Sequence, residues 1–141
     1  MSEFTSNDIR QNLMSYMGEY ESFIDYAPDI YDILCMLLKC NITKDQRQKV
    51  CGAITSYIVP NNIFPEELYG PYSYVENIIV GMTVLKEIHM TDIILSEEQY
   101  NQLLNAYDKS REVITSEEKQ KLLEFYGIRE KNQKRLADLF E

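Results

Sequence analysis

The chain has 141 residues, of which 45% are hydrophobic, 11% aromatic and 26% charged, a balance that fits one globular domain and excludes disordered, collagen-like and disulfide-scaffold classes. With 23 Asp and Glu against 14 Lys and Arg, the formal net charge of -9 disfavours a general phosphate-binding surface, so no nucleic-acid partner is expected. Glycines 18, 52, 70, 81 and 127 are too far apart for a phosphate-cradling loop, no nucleophile elbow is present, and one histidine, His89, cannot build a multi-histidine metal centre. No cofactor is expected. The longest uncharged apolar stretch, Ile78 to Leu85, is far short of the roughly 20 residues a spanning helix needs. The first residues, MSEFTSNDIRQ, have no apolar run and read neither as a secretory signal nor as a transit peptide, so the default expectation is a cytoplasmic protein.

Ile9, Leu13, Tyr16, Met17, Tyr20, Phe23 and Ile24 recur mostly at steps of three and four, which predicts one amphipathic helix from Ser6 to Ala27. Pro28 breaks it, with the bend between Ala27 and Asp29, and opens a second helix whose stripe is Ile30, Ile33, Leu34, Leu37 and Leu38, ending near Cys40 and Asn41. Thr43 with Gln46 is a capping box for a third helix that turns Val50, Ala53, Ile54, Tyr57 and Ile58 inward. Pro60 stops it, and Val59 to Pro71 holds three of the four prolines together with Gly70, a rigid irregular loop. From Tyr74 to Ile88 apolar residues cover nearly every face, so this helix should be the central one.

Ser96 with Gln99 and Thr115 with Glu118 are two further capping boxes. Aligning them superposes Leu103 on Leu122, Leu104 on Leu123 and Tyr107 on Tyr126, which reads as a helical hairpin with Gly127 as the stop of its second arm. The last stretch, Arg129 to Phe140, offers Leu136, Leu139 and Phe140 for docking. Strand signals are weak throughout, and Ile93 to Leu95 is too short to assign by period. The expected fold is all-α, a single-domain helical bundle over 1–141 of about six to seven helices with one Pro-rich loop, the hairpin and tail occupying 96–141. Cys35, Cys40 and Cys51 are odd in number and lack CxxC spacing, which suits reduced, buried thiols.

The segment Ser56-Tyr57-Ile58-Val59-Pro60-Asn61-Asn62-Ile63-Phe64-Pro65-Glu66, followed by Gly70-Pro71 and Tyr74-Val75-Glu76-Asn77, resembles the YkvA-like family, a small helical domain of unknown function. Members carry a helix ending in a Pro-bracketed acidic loop and then an Asp pair opening an apolar helix, so the resemblance implies a helical core over 43–90. Asn62 and Asn77 stand where the family typically has Asp, with Glu66 and Glu76 at the other acidic positions; an amide keeps hydrogen bonding but loses charge and proton transfer. Ser73 replaces a family glycine.

The candidate interaction loop is therefore Asn61, Asn62, Glu66, Glu67, Tyr69, Tyr72, Tyr74, Glu76 and Asn77. Asn61 and Asn62 suit Asx turns between two prolines, and Glu76 sits in a first helical turn where negative charge is favoured. Tyrosine, present eleven times, offers interface area with a polar tip. The favoured function is a non-catalytic interaction or regulatory module whose partner is another protein or a second copy. A second reading has Glu66, Glu67 and Glu76 converge on a divalent cation in a carboxylate-dependent hydrolase. A third places Arg129, Lys131, Lys134 and Arg135 on an anionic membrane surface, against which the overall acidity counts; pairing with the chain's own acids is favoured. An acidic stripe of Glu21, Asp25, Asp29 and Asp32 reads as a solvated face, and His89 with Asp92 as the polar end of a helix.

Overall fold

The computed structural model describes residues 4–59, 63–88 and 95–128, and among these residues every regular element is helical. Helix α1 (Ser6–Met14) starts where Asp8 Oδ2 accepts the Thr5 N–H at 2.8 Å. It ends one turn before Met17 and Gly18, whose φ angles of 55° and 75° turn the backbone out of any right-handed helix. A 3-10 turn (Ser22–Tyr26) then leads into α2 (Ala27–Leu37), which carries Pro28 in its first turn. The single helix expected from Ser6 to Ala27 is thus two pieces, and the break lies at Met17–Gly18 rather than at Pro28. Phe23 and Ile24 still reach the core, because the 3-10 turn puts them on the side that the period assigned to them.

Helix α3 (Lys44–Ile58) opens on the expected box, with Gln46 N–H donating to Thr43 Oγ1 at 3.1 Å and Thr43 N–H to Gln46 Oε1 at 2.9 Å. Val50, Ala53 and Tyr57 are buried, whereas Ile58 faces outward. The stretch read as irregular loop contains a one-turn helix α4 (Glu66–Tyr69) and a 3-10 turn (Gly70–Ser73). Helix α5 (Tyr74–Ile88) follows, and of its residues only Tyr74, Lys86 and Glu87 escape full burial. Helices α6 (Glu97–Arg111) and α7 (Ser116–Phe125) begin on the Ser96 and Thr115 capping boxes.

The bundle is organised around α5, against which α2, α3, α6 and α7 pack. Gly81 lets α2 come close: a Cβ there would lie 2.5 Å from Ile30 Cγ2. Helix α7 ends in a Schellman motif, with Gly127 at φ 73°, its N–H on Glu124 O at 3.1 Å and the Ile128 N–H on Leu123 O at 2.8 Å. Leu123 and Ile128, the apolar pair of that motif, are both buried. The cysteines differ from expectation: Cys35 and Cys40 are half-buried and Cys51 is exposed, because Cys51 lies on the outer side of α3 between the inward Val50 and Ala53. Among the described residues no helix is long and apolar enough to cross a membrane. Asn61, Asn62, His89, Asp92, Ile93 and the Arg129–Phe140 stretch lie outside the described residues.

Candidate interaction site

The last turn of a helix leaves its carbonyls without intrahelical partners, and the end of α3 finds one on α5. Asn77, fully buried, donates from Nδ2 to Ser56 O at 2.8 Å and to Ser56 Oγ at 3.2 Å. Its neighbour Glu76 is also fully buried and accepts the backbone N–H groups of Ile63 and Phe64, fixing the chain as it enters α4. The pair that opens α5 therefore holds both the end of α3 and the chain entering α4. Tyr57 adds a third tie, its hydroxyl donating to Ala27 O at 2.8 Å.

Glu66 faces α1. Its Oε2 accepts the Tyr16 hydroxyl at 2.6 Å and Asn12 Nδ2 at 2.8 Å, and Asn12 Nδ2 also donates to the Tyr74 hydroxyl at 2.8 Å. Burial pushes the Tyr16 phenol up to about 12, with the hydrogen bond to Glu66 and the Glu66 charge adding to it. Tyr74 is raised by burial and by the same charge, against the pull of the Asn12 hydrogen bond. Tyr72 accepts the Glu21 N–H at 3.1 Å, and Tyr69 stands edge-on to Phe64 at 4.8 Å with much of its ring exposed. Glu67 points to solvent.

Between α1, the end of α3 and the α4–α5 corner these residues border a cleft of about 430 Å³. Phe4, Ile58, Val59 and Pro65 form apolar walls, Tyr57 and Tyr74 contribute ring surface, and Asp8, Glu66 and Glu67 supply its carboxylates. Of the residues expected at the site, Glu66, Glu67, Tyr74 and Asn77 meet here, while Tyr69 and Tyr72 lie outside the lining and Asn61 and Asn62 lie outside the described residues. Glu76 does not join Glu66 and Glu67. It is turned inward onto the Ile63 and Phe64 amides, so the three carboxylates that the second reading gathers on a cation are divided between two tasks. Among the described residues no group of three His, Cys, Asp or Glu is placed to hold a metal ion.

Sequence reasoning missed the wall made by Asp8 and Asn12 of α1 and by Phe4 just before it. The only local signal of Asp8 and Asn12 is that they fall off the apolar stripe of α1, which says outward but not toward what. A wider groove of about 600 Å³ lies beside Tyr26 and the Glu97, Glu98, Asn101 and Asn105 side of α6. An adjoining hollow reaches Asp29 and Asp32, which Arg10 holds at 3.1 and 3.3 Å, so part of the acidic stripe is locked in ion pairs.

No protein-family model matches the chain, and no solved structure matches it. The chain is similar to an uncharacterized protein, ORF9, of Methanothermobacter thermautotrophicus, at 39% identity over 79 residues. That match covers 55% of this chain and 54% of the relative, so the chain spans about half the length of the protein it matches.

Proposed function

We propose that this protein is a cytoplasmic, non-catalytic interaction module and that the cleft between α1, α3 and α4 receives a segment of another protein. The observation that carries this is an apolar wall left open at the mouth of a ligand-sized hollow: Ile58 is 58% exposed and Phe4 37% exposed, both on the same 430 Å³ cleft. The buried polar side chains around it, Glu76, Asn77 and Tyr57, are engaged in tying helices together, which suits a preformed docking surface more than a reacting centre. The resemblance to the YkvA-like family belongs to the same proposal; its support is that the acidic and amide positions opening α5 tie the end of α3 and the chain entering α4 to α5.

The test is affinity capture from the source organism's lysate with the full chain and with Ile58→Ser, which removes apolar wall without touching the core. A stoichiometric partner recovered by the wild type and depleted about tenfold by Ile58→Ser, at unchanged helicity and melting temperature, is the expected result. Equal recovery by both chains removes the cleft from the reading.

A further inference from the structure

Resting on that interaction reading, we infer that the cleft takes a lysine- or arginine-bearing segment of a partner protein, its methylene stem along Phe4 and Ile58 and its cationic head at Glu66 and Glu67. The groove is defined by its apolar walls, and charge complementarity selects the occupant. Among the described residues Asp8, Glu66 and Glu67 line it and no Lys, Arg or His does. Arg10, the one base on α1, is directed away, to Asp29 and Asp32. A long cationic side chain is the natural match for such a surface, since its stem covers apolar atoms while its head stays with carboxylates at the rim.

Glu66 is also held in advance. Two donors, Tyr16 and Asn12, fix Oε2, while Oε1 accepts no hydrogen bond among the described residues. An acceptor already ordered loses little side-chain entropy when a guanidinium or ammonium arrives. Glu67 makes no ion pair among the described residues, so its charge is available beside it. The carboxylates are spread along the cleft rather than gathered within coordinating distance of one point, which suits an extended cationic ligand and not a metal ion. The net charge of -9 favours encounter with a basic partner over longer range.

The probe is a short capped peptide of alternating leucine and lysine, titrated into isotope-labelled full-length protein and followed by amide chemical shifts, with its lysine-acetylated twin as the neutral control. Expected are shifts centred on Phe4, Ile58, Glu66 and Glu67, with affinity weakened about tenfold or more by acetylation or by Glu66→Gln/Glu67→Gln. Asp29→Asn/Asp32→Asn should bind as the wild type does. Glu66→Gln keeps an oxygen for Tyr16 and Glu67→Gln breaks no hydrogen bond or ion pair among the described residues, so both should fold, and their melting curves verify it. Equal affinity for the acetylated twin, shifts at the Asp29–Asp32 hollow instead, or no response to either peptide overturns the inference. Concentration-dependent broadening at the cleft without a peptide response identifies a second copy as the occupant and overturns it too. If Ile58→Ser loses the lysate partner while Glu66→Gln/Glu67→Gln retains it, the cleft stays an interaction site with a non-cationic ligand; if both retain it, the interaction reading falls as well.

Discussion

Asn77 faces a carbonyl, and only a donor can answer it. A carboxylate at this position would turn two lone-pair-bearing groups toward each other in a fully buried place, so the amide is the residue its Ser56 partner requires. Asn77→Asp should lower stability by about 2–4 kcal/mol at neutral pH, from the lost donor and the buried charge. The deficit should narrow toward about pH 4, where the introduced carboxyl takes up a proton and can donate to Ser56 O. Urea melts of both chains at the two pH values read this out, and a deficit that widens in acid sinks the account. Glu76 has the complementary task, accepting two amides that have no other described acceptor. Glu76→Ala should cost about 3 kcal/mol or more in the same assay, because each stranded N–H carries its own desolvation penalty. Glu66→Ala, by contrast, breaks only exposed contacts to Tyr16 and Asn12 and should cost within about 1 kcal/mol.

At the scale of the helix, what the sequence disclosed is what is local in sequence. The boxes at Thr43, Ser96 and Thr115 are side chain-to-backbone bonds three residues apart, and all three form; each Thr→Ala or Ser→Ala change should cost about 1 kcal/mol in thermal or urea unfolding. The apolar run of α5 is equally local and marks the central helix. The break at Met17–Gly18 was hidden because a period of three to four reports which side chains point inward, not whether the backbone between them is continuous. The cleft was half visible: Glu66, Glu67, Tyr74 and Asn77 come from one stretch, but the Asn12–Glu66 bond joins residues distant in sequence, and nothing in either segment announces the other. Glu76 was misplaced for a related reason, since a carboxylate in the first turn of a helix reads the same from sequence whether it faces solvent or a neighbouring loop. Helix-to-helix distance is likewise tertiary information. At Gly81 the approach of α2 is so close that Gly81→Ala should cost about 1–3 kcal/mol despite better helix propensity, because the β-branched Ile30 opposite cannot swing its Cγ2 aside. A neutral or stabilising result would show that α2 slides on α5 freely.

Across the whole molecule the phenols act as cross-braces, and this sets how the fold meets alkali. Tyr57 joins α3 to the start of α2, Tyr16 joins the end of α1 to α4, and Tyr20 closes on Asp25 at 2.6 Å. Burial, reinforced by these carboxylates, pushes Tyr16 and Tyr20 up to about 12; burial with Cys35 beside it does the same for Tyr31, and burial raises Tyr57 well above the ordinary value. One phenol goes the other way: burial raises Tyr107, but hydrogen bonds from Lys119 and Arg111 and the charges of Lys119 and Lys86 outweigh it and leave it lowered. A folded-state value above the unfolded one, about 10, means the native state holds the proton more tightly, so the stability these braces contribute is intact below about pH 10. It is lost as the pH rises toward and through about 12. Tyr107 opposes this, gaining stability as its proton leaves, but it is one group against several. With no tryptophan to obscure the signal, tyrosinate absorbance should lag behind that of a denatured control above about pH 10 and then rise together with loss of helical circular dichroism. Tyr57→Phe should shift that coupled transition to higher pH while lowering stability at neutral pH by about 1 kcal/mol, the loss of one buried hydrogen bond. Smooth, denatured-like titration with helicity retained would mean that the phenols are not bracing the fold.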